Sequence, residues 1–410
     1  MRKRKRVLIA LIATLGFSSL SVVNAATPKV GSTCQKLGTT QNYKGKLFTC
    51  VKSGKKKVWD KGVTILAAPR STPSATPSIV SEPKIESSPT PSTSPAPTAT
   101  TASLPKAPTS FDDLIENYQG ISYAAWSKSR EKILASKTTN INLKMLLGPT
   151  SQLTYKEPIV PINLITRLYS GYVKEIDLHY MAFNFDDRDW AVKQMDSIID
   201  NTDSRWITFT ACKTRDTCWG GGSFYDGKSN YLAVVALGLF DSNHTSGTLE
   251  AHEFAHVVQQ MNYKASRPPV EFVMDPWPPD WYWEGQAQFA QHAAIYYDSY
   301  SSYMRERAAS SDQLFRLPKF KSQHIENYFV FNAPEEWRKT YEKWRLYDLG
   351  AMFVEILTAL KGPDATMEVW KVANTGVKFD VAFERVYGIS FAKAVPIMAK
   401  AIALQLGHEK

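Results

Sequence analysis

Residues 110–410 predict an α+β domain in which a strand-rich N-terminal lobe precedes a helical C-terminal lobe. Three observations lead there. The stretch "VKEIDLHYMAFN" sets Ile176, Leu178, Tyr180 and Ala182 against Glu175, Asp177 and His179, the period-two alternation of a half-buried strand. "RWITFTAC" and "SNYLAVVALGLF" read as further strands, separated by the Cys212/Cys218 loop and by "WGGGSFYDG". From Thr248 onward nearly every stretch has helical period. Two more helices are expected in the first lobe, over "FDDLIENYQGISYAAWSKSREKILAS" and "DDRDWAVKQMDSIID".

Three segments precede this domain. Residues 1–26 join a cationic "MRKRKR", an apolar "VLIALIATLGFSSL" and the small residues Val23 and Ala25, the pattern of an export signal cleaved after Ala25 or Ala26. The apolar run is short for a membrane span. Residues 27–68 have Gly-marked turns, short β-prone runs and two cysteines, so a small disulfide-bonded β unit is expected. Residues 69–109 are dominated by Pro, Ser, Thr and Ala, with too little apolar content to pack, and predict a disordered linker.

Charge is uneven along the chain. The net charge is +10; residues 1–26 carry five Lys/Arg, and residues 27–70 carry ten Lys/Arg against Asp60 alone, leaving about −4 for the rest. Basicity therefore belongs to the small unit and not to the main domain. No nucleic-acid motif accompanies it, so the expected partner of residues 27–68 is an anionic cell-wall polymer or a membrane surface; a merely solvated basic face is the alternative. Four cysteines in an exported chain read as two disulfides. Of the three connectivities, pairing within each region closes the shortest loops: Cys34 with Cys50 and Cys212 with Cys218.

The chemistry centres on "TLEAHEFAHVVQQ", residues 248–260. Good helix formers without Gly or Pro predict a helix, with Thr245, Ser246 and Thr248 as possible N-caps and Glu250 in the first turn. Residues four apart share a helix face, so His252 and His256 project together, a spacing that lets two imidazoles hold one zinc ion. Glu253 lies one residue round, where a carboxylate can serve as a base without ligating the metal. A site that does chemistry typically has a third protein ligand. Glu284 in "DWYWEGQAQFAQHAA" supplies it, 28 residues after His256 on a second expected helix. Of the other histidines, His292 and His324 read as core or surface residues, His179 as an exposed strand residue and His244 as a loop residue. Trp277, Trp281, Tyr282 and Trp283 read mainly as packing.

"HEFAH" followed by "WYWEGQA" resembles the gluzincin metallopeptidases, whose third ligand is a glutamate in a W-x-x-E-G-x-A-like string. The resemblance covers about residues 170–405 and implies a zincin-like fold. It also implies Zn2+ held by His252, His256 and Glu284, with Glu253 as general base. Downstream, "YDLG" is similar to the family's tyrosine three residues before a helix glycine, which implies Tyr347 as oxyanion donor, with Tyr341 as competitor. The chain departs from the family in three ways, first in a gap between the histidine pair and Glu284 that is longer than in aminopeptidase-N relatives and implies an inserted loop, "NYKASRPPVEFVMDPWPP". It has no GxMEN-like string, which speaks for an endopeptidase over an aminopeptidase. It also has Gln288 where thermolysin-like enzymes place an aspartate four residues after the glutamate ligand. The small two-cysteine unit resembles one seen in exported actinobacterial proteins. The expectation is a secreted zinc peptidase acting on peptide or protein, with "GGGSFYDG" as an edge against which an extended peptide lies. The alternatives are cleavage of wall peptide by the same chemistry, and a non-catalytic wall- or surface-binding protein on a zincin scaffold.

Overall fold

A computed structural model of the chain describes residues 28–34, 40–43, 46–54, 56–61, 63–64, 104–199, 204–238, 241–263, 278–315, 321–330 and 345–410. The expected export signal, most of the expected linker, Trp277 and Tyr341 lie outside the described residues. The chain divides into two compact units, residues 1–97 and 98–410.

In the first unit, β2 (Lys46–Ser53) pairs antiparallel with β1 (Thr40–Tyr43), β3 (Lys56–Trp59) and β4 (Val63–Thr64). Phe48 and Cys50 alternate along β2 and are buried. Cys50 bonds to Cys34 as the short loop favours. So small a unit buries little apolar surface, and the cross-link supplies much of its stability. Lys29, Lys52, Lys56 and Lys61 are exposed.

The second unit contains one mixed four-stranded sheet. Its strands are β5 (Ile141–Leu147), β6 (Ile176–Phe183), β7 (Trp219–Tyr225) and β8 (Tyr231–Leu237), in the order β5-β6-β8-β7. β5, β6 and β8 run parallel, and β7 is antiparallel on the edge beside β8. Parallel neighbours need crossovers, and helices α2 (Ile159–Leu168) and α3 (Arg188–Ile198) lie in them, after α1 (Ile121–Ala135). The α+β order of the sequence thus holds with helices threaded between the first strands.

The two faces of the sheet have separate cores. Leu178, Tyr180, Ala182, Ala233 and Val235 pack with the helical half, whereas Met181, Phe183, Leu232, Val234 and Ala236 pack under α3. This is why the end of β6 is buried on both sides, although its sequence alternates at the start.

Two expectations change. "RWITFTAC" is a helical turn closed by a Cys212 N–H to Ile207 C=O bond of 2.7 Å, not a strand. Its buried residues, Ile207 and Ala211, are four apart, and Phe209 between them is 70% exposed, so burial follows a helical period despite β-prone composition. The first helix begins only at Ile121, after a run of turns. Among the described residues just before 110, Thr109 N–H donates to Asp113 Oδ1 at 2.9 Å.

After β8 come the one-turn α4 (Ser242–Thr245), the histidine helix α5 (Thr248–Asn262) and α6 (Asp280–Ile295). Then follow α7 (Tyr300–Ser310), α8 (Asp312–Phe315), α9 (Ser322–Val330), α10 (Arg345–Lys361), α11 (Pro363–Ala373), α12 (Phe379–Tyr387) and α13 (Phe391–Gln405). α5 is capped by Gly247 at φ 86° with no side-chain cap, so none of Thr245, Ser246 and Thr248 fills that role. Trp281 on α6 is 1% exposed and meets the rings of Phe329, Phe353, Phe379 and Phe391, which gathers α9, α10, α12 and α13 around it. α6 and α10 touch backbone to backbone: a Cβ on Gly285 would sit 2.2 Å from the Gly350 carbonyl carbon, and one on Gly350 would sit 2.2 Å from Trp281 O. Only two glycines permit this approach.

Candidate metal centre

The site forms where α5 and α6 cross. His252 and His256, one turn apart on α5, turn their Nε2 atoms to within 3.1 Å of each other. Glu284 on α6 brings Oε2 to 3.2 Å from His252 Nε2 and 3.1 Å from His256 Nε2. The three ligand atoms lie within 4.8 Å of one another, and this buried group could hold a metal ion.

The amides around the imidazoles set their protonation. His252 Nδ1 lies 2.8 Å from Gln291 Oε1, and His256 Nδ1 lies 2.7 Å from Gln259 Oε1. The Gln259 amide is oriented by its other contacts, since Nε2 donates to Trp283 O and to Gln286 Oε1, both at 2.9 Å. Its oxygen must therefore face His256 and accept from Nδ1–H. Each imidazole then turns an Nε2 lone pair inward, as a metal ligand requires. Gln286 Oε1 also accepts from Trp370 Nε1 at 2.6 Å, and its Nε2 donates to Thr366 Oγ1 at 2.8 Å, tying α11 to the same network. Trp283 stacks on His256 with ring centres 4.3 Å apart and planes within 10°.

Gln288, at the aspartate position of thermolysin-like enzymes, is not one of these amides. It is half-buried and lines a cavity of about 20 Å³ with His292, Tyr303, Arg307, Asp348 and Glu355, room for a single water. The supporting amides are Gln291 and Gln259, which the sequence reading missed. Both were findable: Gln291 lies seven residues after Glu284, two turns along the same face, and Gln259 lies seven after His252.

Glu253 is 4% exposed and next to the ligand cluster. Its Oε2 is buried without a hydrogen-bond partner. Gly221 of β7 makes room for it, since a Cβ there would lie 2.5 Å from Glu253 Oε1. Burial pushes the Glu253 carboxyl up to about 8, with the negative charges of Glu284 and Glu250 adding to the rise. Burial would also raise Glu284, but when His256 and His252 carry protons on Nε2 their charge and hydrogen bonds outweigh it and hold Glu284 well below the usual carboxylate range; a metal ion would take the place of those protons. Two imidazoles and a carboxylate, with an orphaned buried carboxylate oxygen beside them, form a donor set that could hold a metal ion.

Tyr347 on α10 lies on the His252 side, ring centres 5.9 Å apart and planes 30° apart. The Gly285–Gly350 approach puts it there, because Tyr347 is one turn before Gly350 and Glu284 precedes Gly285.

Five histidines stay out of the cluster, among them His408 near the end of the sequence. His292 is buried on α6, where its Nε2 meets Gln291 Nε2 at 3.1 Å and Ser310 Oγ at 3.3 Å. His324 is exposed on α9. His179 is half-buried on β6 and not fully exposed as its alternation predicts. His244 is a buried residue of α4 and not a loop residue; its Nδ1 is 2.7 Å from Asp241 Oδ1, and its Nε2 accepts from Gly220 N–H at 3.3 Å. Trp281, Tyr282 and Trp283 are buried as packing residues.

A comparison of the chain with protein-family profiles, curated proteins and solved structures finds no match.

Proposed function

We propose that this chain is an exported zinc-dependent endopeptidase. The observation that carries the reading is the convergence of His252 Nε2, His256 Nε2 and Glu284 Oε2 beside the orphaned carboxylate of Glu253. Two imidazoles with one carboxylate are a donor set that suits zinc, held through those three atoms. A zinc ion there would polarise the scissile carbonyl and acidify the attacking water toward pH 7.

The chain's own groups perform the remaining work. Glu253 takes a proton from the water that attacks the carbonyl carbon, and returns it to the leaving nitrogen as the C–N bond breaks. Tyr347 donates its hydroxyl hydrogen to the carbonyl oxygen as that atom gains negative charge. Gln291 and Gln259 hold the imidazoles in one tautomer and orientation.

Substrate lies along β7. Among the described residues this strand has a neighbour on one side only, and Gly221 on it touches Glu253. An extended peptide added to that edge would run past the base with main-chain hydrogen bonds to hold it. Such an edge accepts a chain at any point along its length, which favours endopeptidase action. The exposed lysines of the N-terminal unit would hold the enzyme at an anionic wall or membrane surface.

The test is casein cleavage by the zinc-loaded full chain beside Glu253→Gln. The variant should keep its metal and lose at least about 10²-fold in rate. Equal cleavage by the two proteins would refute the assignment of Glu253.

A further inference from the structure

The accessible part of the β7 edge carries one large side chain on the cleft side, Trp219. Register fixes which face each residue serves. Trp219 pairs with Leu237 and Gly221 with Val235, and both partners belong to the core shared with the histidine helix. Trp219 therefore projects from the same face as Gly221, the residue that touches Glu253. It is 42% exposed.

The same register sorts the backbone groups. Gly238 N–H bonds to Cys218 C=O at 2.7 Å and Asp226 N–H to Asn230 C=O at 3.2 Å. In an antiparallel pair the bonded positions alternate. Trp219, Gly221, Ser223 and Tyr225 therefore direct their N–H and C=O groups away from β8. Gln260 of α5 donates to the Ser223 carbonyl at 3.2 Å and closes that end of the edge. At the other end the Cys212–Cys218 disulfide adjoins the strand, and His244, braced by Asp241, anchors it from the side that faces β8 by accepting from Gly220 N–H. Among the described residues, what remains open is a short anchored stretch from Trp219 to Gly222, with glycine at three of its four positions.

We infer that Trp219 is a specificity-determining residue that receives an apolar, preferably aromatic, side chain of the substrate. The inference rests on the peptidase reading above. A peptide paired to this stretch meets bare backbone at Gly221. Two residues further along, about 7 Å away at strand spacing, its side chain on the cleft side meets the indole face. Glycines supply no other side chain there, so selectivity at this part of the substrate comes from one ring.

A peptide series tests this. One Phe is moved through an otherwise Gly/Ala/Ser/Thr chain, cut sites are mapped by mass spectrometry, and Phe-containing and Ala-containing versions are compared. The zinc-loaded full chain should cut at one fixed distance from Phe and favour the Phe peptide by about five- to tenfold in kcat/KM. Trp219→Ala should bring that ratio to near one, and Trp219→Phe should restore it. Binding of the same peptides to zinc-loaded Glu253→Gln should show the same order. Cuts at scattered distances, or a Phe preference that survives in Trp219→Ala, would overturn the role of Trp219 while leaving the peptidase reading intact. No cleavage of any peptide and no binding would overturn both.

Discussion

Gly350→Ala probes the contact that assembles the site. A Cβ on Gly350 would lie 2.2 Å from Trp281 O, whereas ordinary contact starts at 3.4 Å, so α6 and α10 must separate by about 1.2 Å. The obstacle is a backbone carbonyl in the first turn of α6 and has no rotamer to change. Overpacking of this kind costs about 1–3 kcal/mol, and alanine returns about 1 kcal/mol of helix propensity. A net loss of up to about 2 kcal/mol lowers the unfolding midpoint by up to roughly 3 °C in a unit of this size. The functional loss should be larger than the stability loss. Tyr347 is one turn before Gly350 and Glu284 adjoins Gly285, so a shift near 1 Å misplaces the oxyanion donor against a ligand, worth about 10²-fold in rate. Thermal unfolding by circular dichroism and kcat/KM on a casein substrate measure the two effects. An alanine variant with the wild-type midpoint and wild-type activity would refute the reasoning, because the helices would then not need the glycine contact.

Three further outcomes follow from the same geometry. Gln291→Leu removes the acceptor for His252 Nδ1–H and should weaken zinc binding about 10–100-fold, read by competition with a chromophoric chelator; unchanged affinity would show that the amide does not orient the ligand. His292 is buried and its affinity for protons falls, to a pKa of about 3, chiefly through burial. It stays neutral in the folded chain while the unfolded chain protonates below about 6.5. Its contribution is thus complete above that pH and lost on acidification, about 2 kcal/mol by pH 5; urea unfolding at pH 7 and 5 should show this loss shrinking in His292→Gln. Replacing Cys212 and Cys218 together by alanine opens a short loop beside β7 and should cost about 2 kcal/mol. A urea midpoint equal to wild type would mean that the strand end holds without the cross-link.

Much of this site was legible in the sequence because its signals are local and periodic. The His252/His256 spacing, the helix that carries it and Glu284 on a second helix need only the 3.6-residue repeat, and the structure brings those residues together. The pairing of Cys34 with Cys50 and of Cys212 with Cys218 followed from loop length. What failed depended on tertiary context. β5 passed unread because its exposed side chains, Asn142, Lys144 and Met145 among them, leave little alternation. "RWITFTAC" has strand composition, yet its loop to Cys218 and the burial of Ile207 and Ala211 select a helical turn. Gln291 and Gln259 looked like ordinary polar helix residues until the crossing of α5 and α6 placed them behind the imidazoles. The Gly285–Gly350 contact joins residues 65 apart, and only the packed helices show why glycine is needed at both.

The measurement that tests the account most directly is zinc per chain, by mass spectrometry of the full-length protein after dialysis, with casein cleavage followed on the same samples. The account predicts about one zinc in wild type and in Glu253→Gln, far less in Glu284→Ala, and cleavage by wild type alone. A folded wild-type chain without zinc, or zinc retained undiminished by Glu284→Ala, would contradict it.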